Sequence, residues 1–163
     1  MAKYRSGFVS NSSSSSFIVR FDSIPTSVEE VQEVLFGDEI VYINPYPWED
    51  VPKYWAAEQV ANIVWEDMKD DPPNNAESIR ESIGDYWEFS ESNKDKFKLP
   101  RGKFDWDASA IAEDKYNEKL CEQWLEGGGY TYTFSYADDD TLGSAMEHGT
   151  LFDRLDHKKI SNH

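Results

Sequence analysis

"SSSSSFIVRF", residues 12–21, sets five consecutive serines directly against a run of branched and aromatic residues. Phe17 to Phe21 suit a pleated, half-buried strand, which Asp22 and Pro25 bring to an end. The serines are too few, and too closely bracketed by Phe8, Val9, Phe17 and Ile18, to form a disordered tract. A structured, hydrogen-bonded lead into the strand is expected instead. That strand needs a partner, and "YTYTFSYADDD" (130–140) supplies one. Tyr130, Tyr132, Phe134 and Tyr136 alternate with Thr131, Thr133 and Ser135. Pairing 130–137 with 15–22 would carry the serines toward the acidic turn at the far end of the chain.

Working outward, Ser27 and Glu30 have capping-box spacing, Val28, Val31, Val34 and Leu35 share one helical face, and Gly37 supplies a stop. "EIVYI" (39–43) reads as a strand, and strand, helix, strand within about thirty residues has the length of one βαβ unit. The first two strands are therefore expected in one sheet. "NPYPWEDVPKYW" (44–55) is an irregular connection, followed by helical periodicity over 53–71, 76–89 and 107–126, and then "GGG" at 127–129. "TLGSAMEHG" (141–149) is a short turn or helix. The expected fold is α+β, or a small α/β sandwich. It is read as a single globular domain, 1–163, with a helical middle at 53–126. A mixed sheet of about three or more strands, including 15–22, 39–43 and 130–137, carries about four helices.

Sixteen basic against 32 acidic residues give a formal net charge of −16. Direct binding to nucleic acid or to an anionic membrane is disfavoured, whereas a protein partner with a basic surface is not. Cys121 is the only cysteine, so an intramolecular disulfide is impossible; within a helical pattern it reads as a small buried hydrophobe. No apolar run reaches membrane-spanning length, and "MAKYRSGFV" lacks a signal-peptide core. A soluble protein of the cell interior is expected.

Two groups of residues are candidates for chemistry. Ser12, Ser13, Ser14, Ser15 and Ser16 offer hydroxyl and main-chain donors for an anion such as a phosphate, although "GFVSNSSSSS" lacks the Gly-Lys-Ser/Thr ending of a P-loop. Asp139, Asp140, Glu147, His148 and His163 bring carboxylates and imidazoles for acid-base or metal chemistry, without the spacing of a helical metal motif. No metal or other cofactor is implied, and no G-x-S-x-G elbow marks a serine nucleophile. Trp55, Trp65, Trp87 and Trp124 fall in or near apolar helical stripes and read as core. Trp48 and Trp106 lie in a loop or at a helix start and are candidate interface anchors.

The segment "GFVSNSSSSSFIV" (7–19) resembles an N-terminal signature of small proteins encoded by tailed bacteriophages and some bacteria. The tail "YTFSYADDDTLGSAMEHGTLFDRLDHKKISNH" (132–163) is similar to the closing segment of the same group. The resemblance implies a phage or prophage setting, and hence the cytoplasm of a host cell, but no reaction and no catalytic residue. Joined to the charge, it leads to an expected non-enzymatic accessory protein that binds and inhibits a host protein, in host takeover or anti-defence, by competing with nucleic acid for a basic surface. The alternatives are a small-ligand or nucleotide-binding protein, or a metal-dependent enzyme, using the serines and the C-terminal Asp, Glu and His residues; a further alternative is a minor virion component.

Overall fold

The fold is that of a computed structural model describing residues 14–46 and 50–162. It is α+β, and its contacts divide the chain into two compact units. The first comprises the chain up to Asn74 together with the stretch from Gly129 onward; the second is Asn75–Gly128.

In the first unit, β1 (Ser14–Phe21) is the centre of a three-stranded antiparallel sheet, flanked by β4 (Tyr130–Ala137) and β5 (His157–Asn162). The pairing expected from alternation is present: Ser14 stands opposite Ala137 and Phe21 opposite Tyr130. Because side chains alternate across a strand, Ser15, Phe17, Val19 and Phe21 share one face. Phe17, Val19 and Phe21 meet Tyr132, Phe134 and Tyr136 of β4 in the core, together with Val31 and Leu35 of α1 (Val28–Phe36), Val60 and Val64 of α2 (Ala57–Met68), and Phe152. Aromatic rings dominate this layer, with Phe134 and Phe152 stacked 5.2 Å apart and Phe21 edge-on to Tyr132 at 5.6 Å. Tyr130, at the first position of β4, is exposed.

Local signals set the helix ends. Ser27 accepts from the Glu30 backbone N–H at 3.2 Å while the Glu30 carboxylate accepts from the Thr26 N–H at 2.6 Å, and the Gly37 N–H closes α1 on the Glu33 carbonyl at 2.9 Å. Asp140 caps α6 (Thr141–His148) by accepting from the Gly143 N–H at 2.6 Å. Gly129 has a φ of 69°, and a Cβ there would stand 2.8 Å from the Phe21 carbonyl oxygen. Glycine is required where β4 begins.

Two sequence expectations are corrected. The strand β2 (Val41–Ile43) does not join β1; it pairs antiparallel with β3 (Tyr54–Ala56) in a separate two-stranded sheet. Both edges of β1 are already occupied by β4 and β5, so no position beside it remains. The helix expected from residue 53 accordingly starts at Ala57, after β3.

The second unit contains α3 (Ala76–Ser82), α4 (Tyr86–Asn93), a short 3-10 turn at Pro100–Gly102 and α5 (Trp106–Leu125). The helix expected over 76–89 is broken at Gly84. There the Asn117 side chain fills the space a Cβ would need, and Asp85 starts α4 by accepting from the Trp87 and Glu88 N–H groups. Cys121 is buried as expected; its thiol donates to the Ala76 carbonyl at 3.4 Å, and burial pushes its pKa up.

Candidate functional site

The β1–β4 pairing sets Ser14 opposite Ala137, the residue before the acidic turn. Ser15 lies on the core face of β1, and α6, which follows β4, carries Glu147 over the same end of the sheet. The Ser15 hydroxyl donates to Glu147 Oε1 at 3.3 Å, and His148 Nε2 lies 3.1 Å from Glu147 Oε2. His148 packs edge-on against Tyr46 at 5.9 Å, and the Tyr42 hydroxyl donates to the Ala145 carbonyl at 2.6 Å. Serine and carboxylate from the two ends of the sequence thus meet.

Their chemistry is limited by access. Ser15 is 1% exposed and Glu147 0%, while His148 is half-buried. A buried carboxylate is retained where donors satisfy it, and here it accepts from one strand and from its own helix neighbour. The order, serine to carboxylate to imidazole, also differs from a nucleophilic triad, in which the imidazole stands between the other two. The cluster is a polar tie between β1 and α6.

The remaining candidates separate. Ser14 and Ser16 belong to β1, and Ser16 Oγ meets Ser135 Oγ at 3.2 Å on the opposite face from Ser15. Asp140 is a helix cap and Asp139 is exposed beside it. Ser12, Ser13, Trp48 and His163 lie outside the described residues. Among the described residues no group of three or more His, Cys, Asp or Glu side chains is placed to hold a metal ion, and no helix is long and apolar enough to cross a membrane.

The surface feature that sequence reading missed is the outer face of the small sheet. Tyr42 and Trp55 are cross-strand partners that turn inward, their rings 6.4 Å apart, with Tyr42 buried. By the same alternation, the pairs Ile43–Tyr54 and Val41–Ala56 turn outward. Ile43 is 70% exposed, Tyr54 60%, and Ile40, just before the sheet, 78%. Acidic residues adjoin this apolar face in the chain. Glu29, Glu30 and Glu33 on α1, Asp38 and Glu39 after it, and Glu58 after β3 are all exposed. Arg154 approaches Glu39 at 3.9 Å. The sequence gives no sign of this face, because "EIVYI" (39–43) reads as a strand of the main sheet, whereas only Val41–Ile43 is strand and it pairs elsewhere.

No family model, curated protein or solved structure matches this chain.

Proposed function

We propose that the chain is an acidic accessory protein of the phage-associated kind its terminal segments resemble, and that it binds and inhibits a host protein through the outer face of the β2–β3 sheet. The observation that carries this reading is the outward cross-strand pair Ile43–Tyr54, with Ile40, close in the chain to the exposed carboxylates of Asp38, Glu39 and Glu58 and to the exposed Lys53. An apolar centre with a charged rim is the general anatomy of a protein interface, and scattered single hydrophobes would not need explaining, whereas a contiguous apolar face does.

The rim selects the partner. With a net charge of −16, approach to a basic surface is accelerated and approach to an acidic one opposed, while the apolar residues supply most of the binding energy once docked. A host protein whose basic surface normally holds nucleic acid has the required charge. Occupying that surface would block it by competition without any covalent step.

The test is affinity capture of the tagged chain from host lysate at low and high salt, followed by binding of the purified partner. One partner with a basic surface, captured strongly at low salt and weakly at high salt, supports the reading. Capture of an acidic partner, or of nothing at either salt, contradicts it.

A further inference from the structure

The second unit carries a feature at odds with the overall charge: Lys94, Lys96, Lys98, Arg101 and Lys103 fall within ten residues, interleaved with Phe97, Phe104 and Trp106. The segment folds back on itself. Lys98 and Phe104 form an antiparallel bridge, the Leu99 N–H donates to the Lys103 carbonyl and the Asp105 N–H to the Phe97 carbonyl, both at 2.8 Å. Arg101, at φ 64° and ψ 34°, and Gly102, at φ 70°, form the tip.

Most carboxylates around this hairpin are engaged, Asp107 beside Trp106 being exposed. Glu91 pairs with Lys94 at 3.3 Å and Asp95 with Lys98 at 2.7 Å; Asp85 caps α4, Asp105 caps α5, and Glu88 accepts from the Tyr116 hydroxyl at 3.4 Å. Lys96, Arg101 and Lys103 are exposed and have no carboxylate partner among the described residues. Beside them, Trp106 is 67% exposed and lies 4.5 Å from Phe104. A cavity of about 90 Å³ lies against Phe104, with Tyr86, Phe89, Phe97 and Lys94 among its other walls.

We infer that the hairpin is a binding site for a single nucleotide unit, its base stacked on Trp106 and its phosphate held by Lys96, Arg101 and Lys103. Three free cations answer a phosphate, and the exposed Trp106 ring answers a base; an acidic peptide would use the first and leave the second unexplained. The chain's net charge opposes a long nucleic-acid track, so the contact is local. This proposal goes beyond the protein-docking reading and uses none of the residues of the β2–β3 face.

The experiment uses the full chain and a fluorescein-labelled oligothymidylate of about fifteen nucleotides, read by anisotropy. Binding is expected at about 50 mM salt, and neutralisation of one phosphate of a single strand predicts a slope of log K against log salt of about −0.7. Trp106→Ala should weaken binding about tenfold, the scale of one lost stacking partner. Lys96→Ser, Arg101→Ser and Lys103→Ser together should abolish the salt dependence. Trp106 and the three cations are exposed, so these variants are expected to keep the native circular dichroism spectrum. Competition by thymidine 5′-monophosphate at comparable affinity assigns the site to free nucleotides, and binding of the oligonucleotide alone assigns it to strands; either supports the site. No binding of either probe, or binding unchanged in both variants, overturns it. Neither failure would affect capture of a protein by the β2–β3 face.

Discussion

Ser15 on the first strand donates its hydroxyl to Glu147 on the last helix across 3.3 Å, and both side chains are buried. Removing the hydroxyl leaves a buried carboxylate short of a donor, so Ser15→Ala should destabilise the fold by about 1–3 kcal/mol. Glu147→Ala should cost more, since it also leaves a void and strips His148 of its partner. Urea unfolding of both variants and of the double variant gives the coupling. The double variant should lose less than the sum of the two; strict additivity would show that the contact contributes nothing.

Gly149 closes α6 through its N–H on the Ala145 carbonyl at 2.8 Å. A Cβ at this position would collide with the Tyr42 hydroxyl and the Ala145 carbonyl oxygen. Gly149→Ala should therefore displace Tyr42 and cost about 1–3 kcal/mol, in the range of overpacked cores. Only partial recovery is expected in thermal unfolding on adding Tyr42→Phe, which removes the hydroxyl but leaves the clash with the Ala145 carbonyl. A Gly149→Ala variant as stable as the parent would contradict the close approach.

Tyr42 also makes stability depend on alkaline pH. Burial, and to a lesser extent the charge of Asp153, hold its phenol well above the ordinary value of 10.0. In the unfolded chain the phenol ionises near pH 10 while the folded protein keeps the proton, so the folded state binds more protons and stability falls as pH rises past that point. Urea midpoints should drop between about pH 8 and about pH 11, and Tyr42→Phe should flatten the drop. An equal drop in the variant would assign the effect to other groups. Tyr132, whose pKa is raised by burial and by Asp71, is the next to substitute.

What the sequence made legible follows from where one force acts alone. Phe17, Val19 and Phe21 against Tyr132, Phe134 and Tyr136 could be read because a one-residue slip would turn all of them to the wrong face. That register brings Ser14 opposite Ala137, next to the acidic turn, whereas the contact of Ser15 with Glu147 depends on how α6 returns and was not legible. The place of β2 could not be read, since it depended on β5, and "HKKISN" buries little beyond Ile160 and carries none of the usual strand signal. With β5 on the second edge of β1, β2 is displaced from it and pairs with β3. Its outward residues Ile43 and Tyr54 are left exposed, and the apolar face came into view only with the structure.

That face is the most direct place to test the proposed function. Ile43→Asp with Tyr54→Ser alters two exposed side chains, so stability should stay within about 0.5 kcal/mol of the parent. The measurement is the amount of partner captured at low salt by this variant relative to the parent chain, with thermal unfolding of both as control. Loss of the partner by at least about tenfold, with an unchanged unfolding midpoint, is the expected result. Capture equal to that of the parent would contradict docking through the β2–β3 sheet.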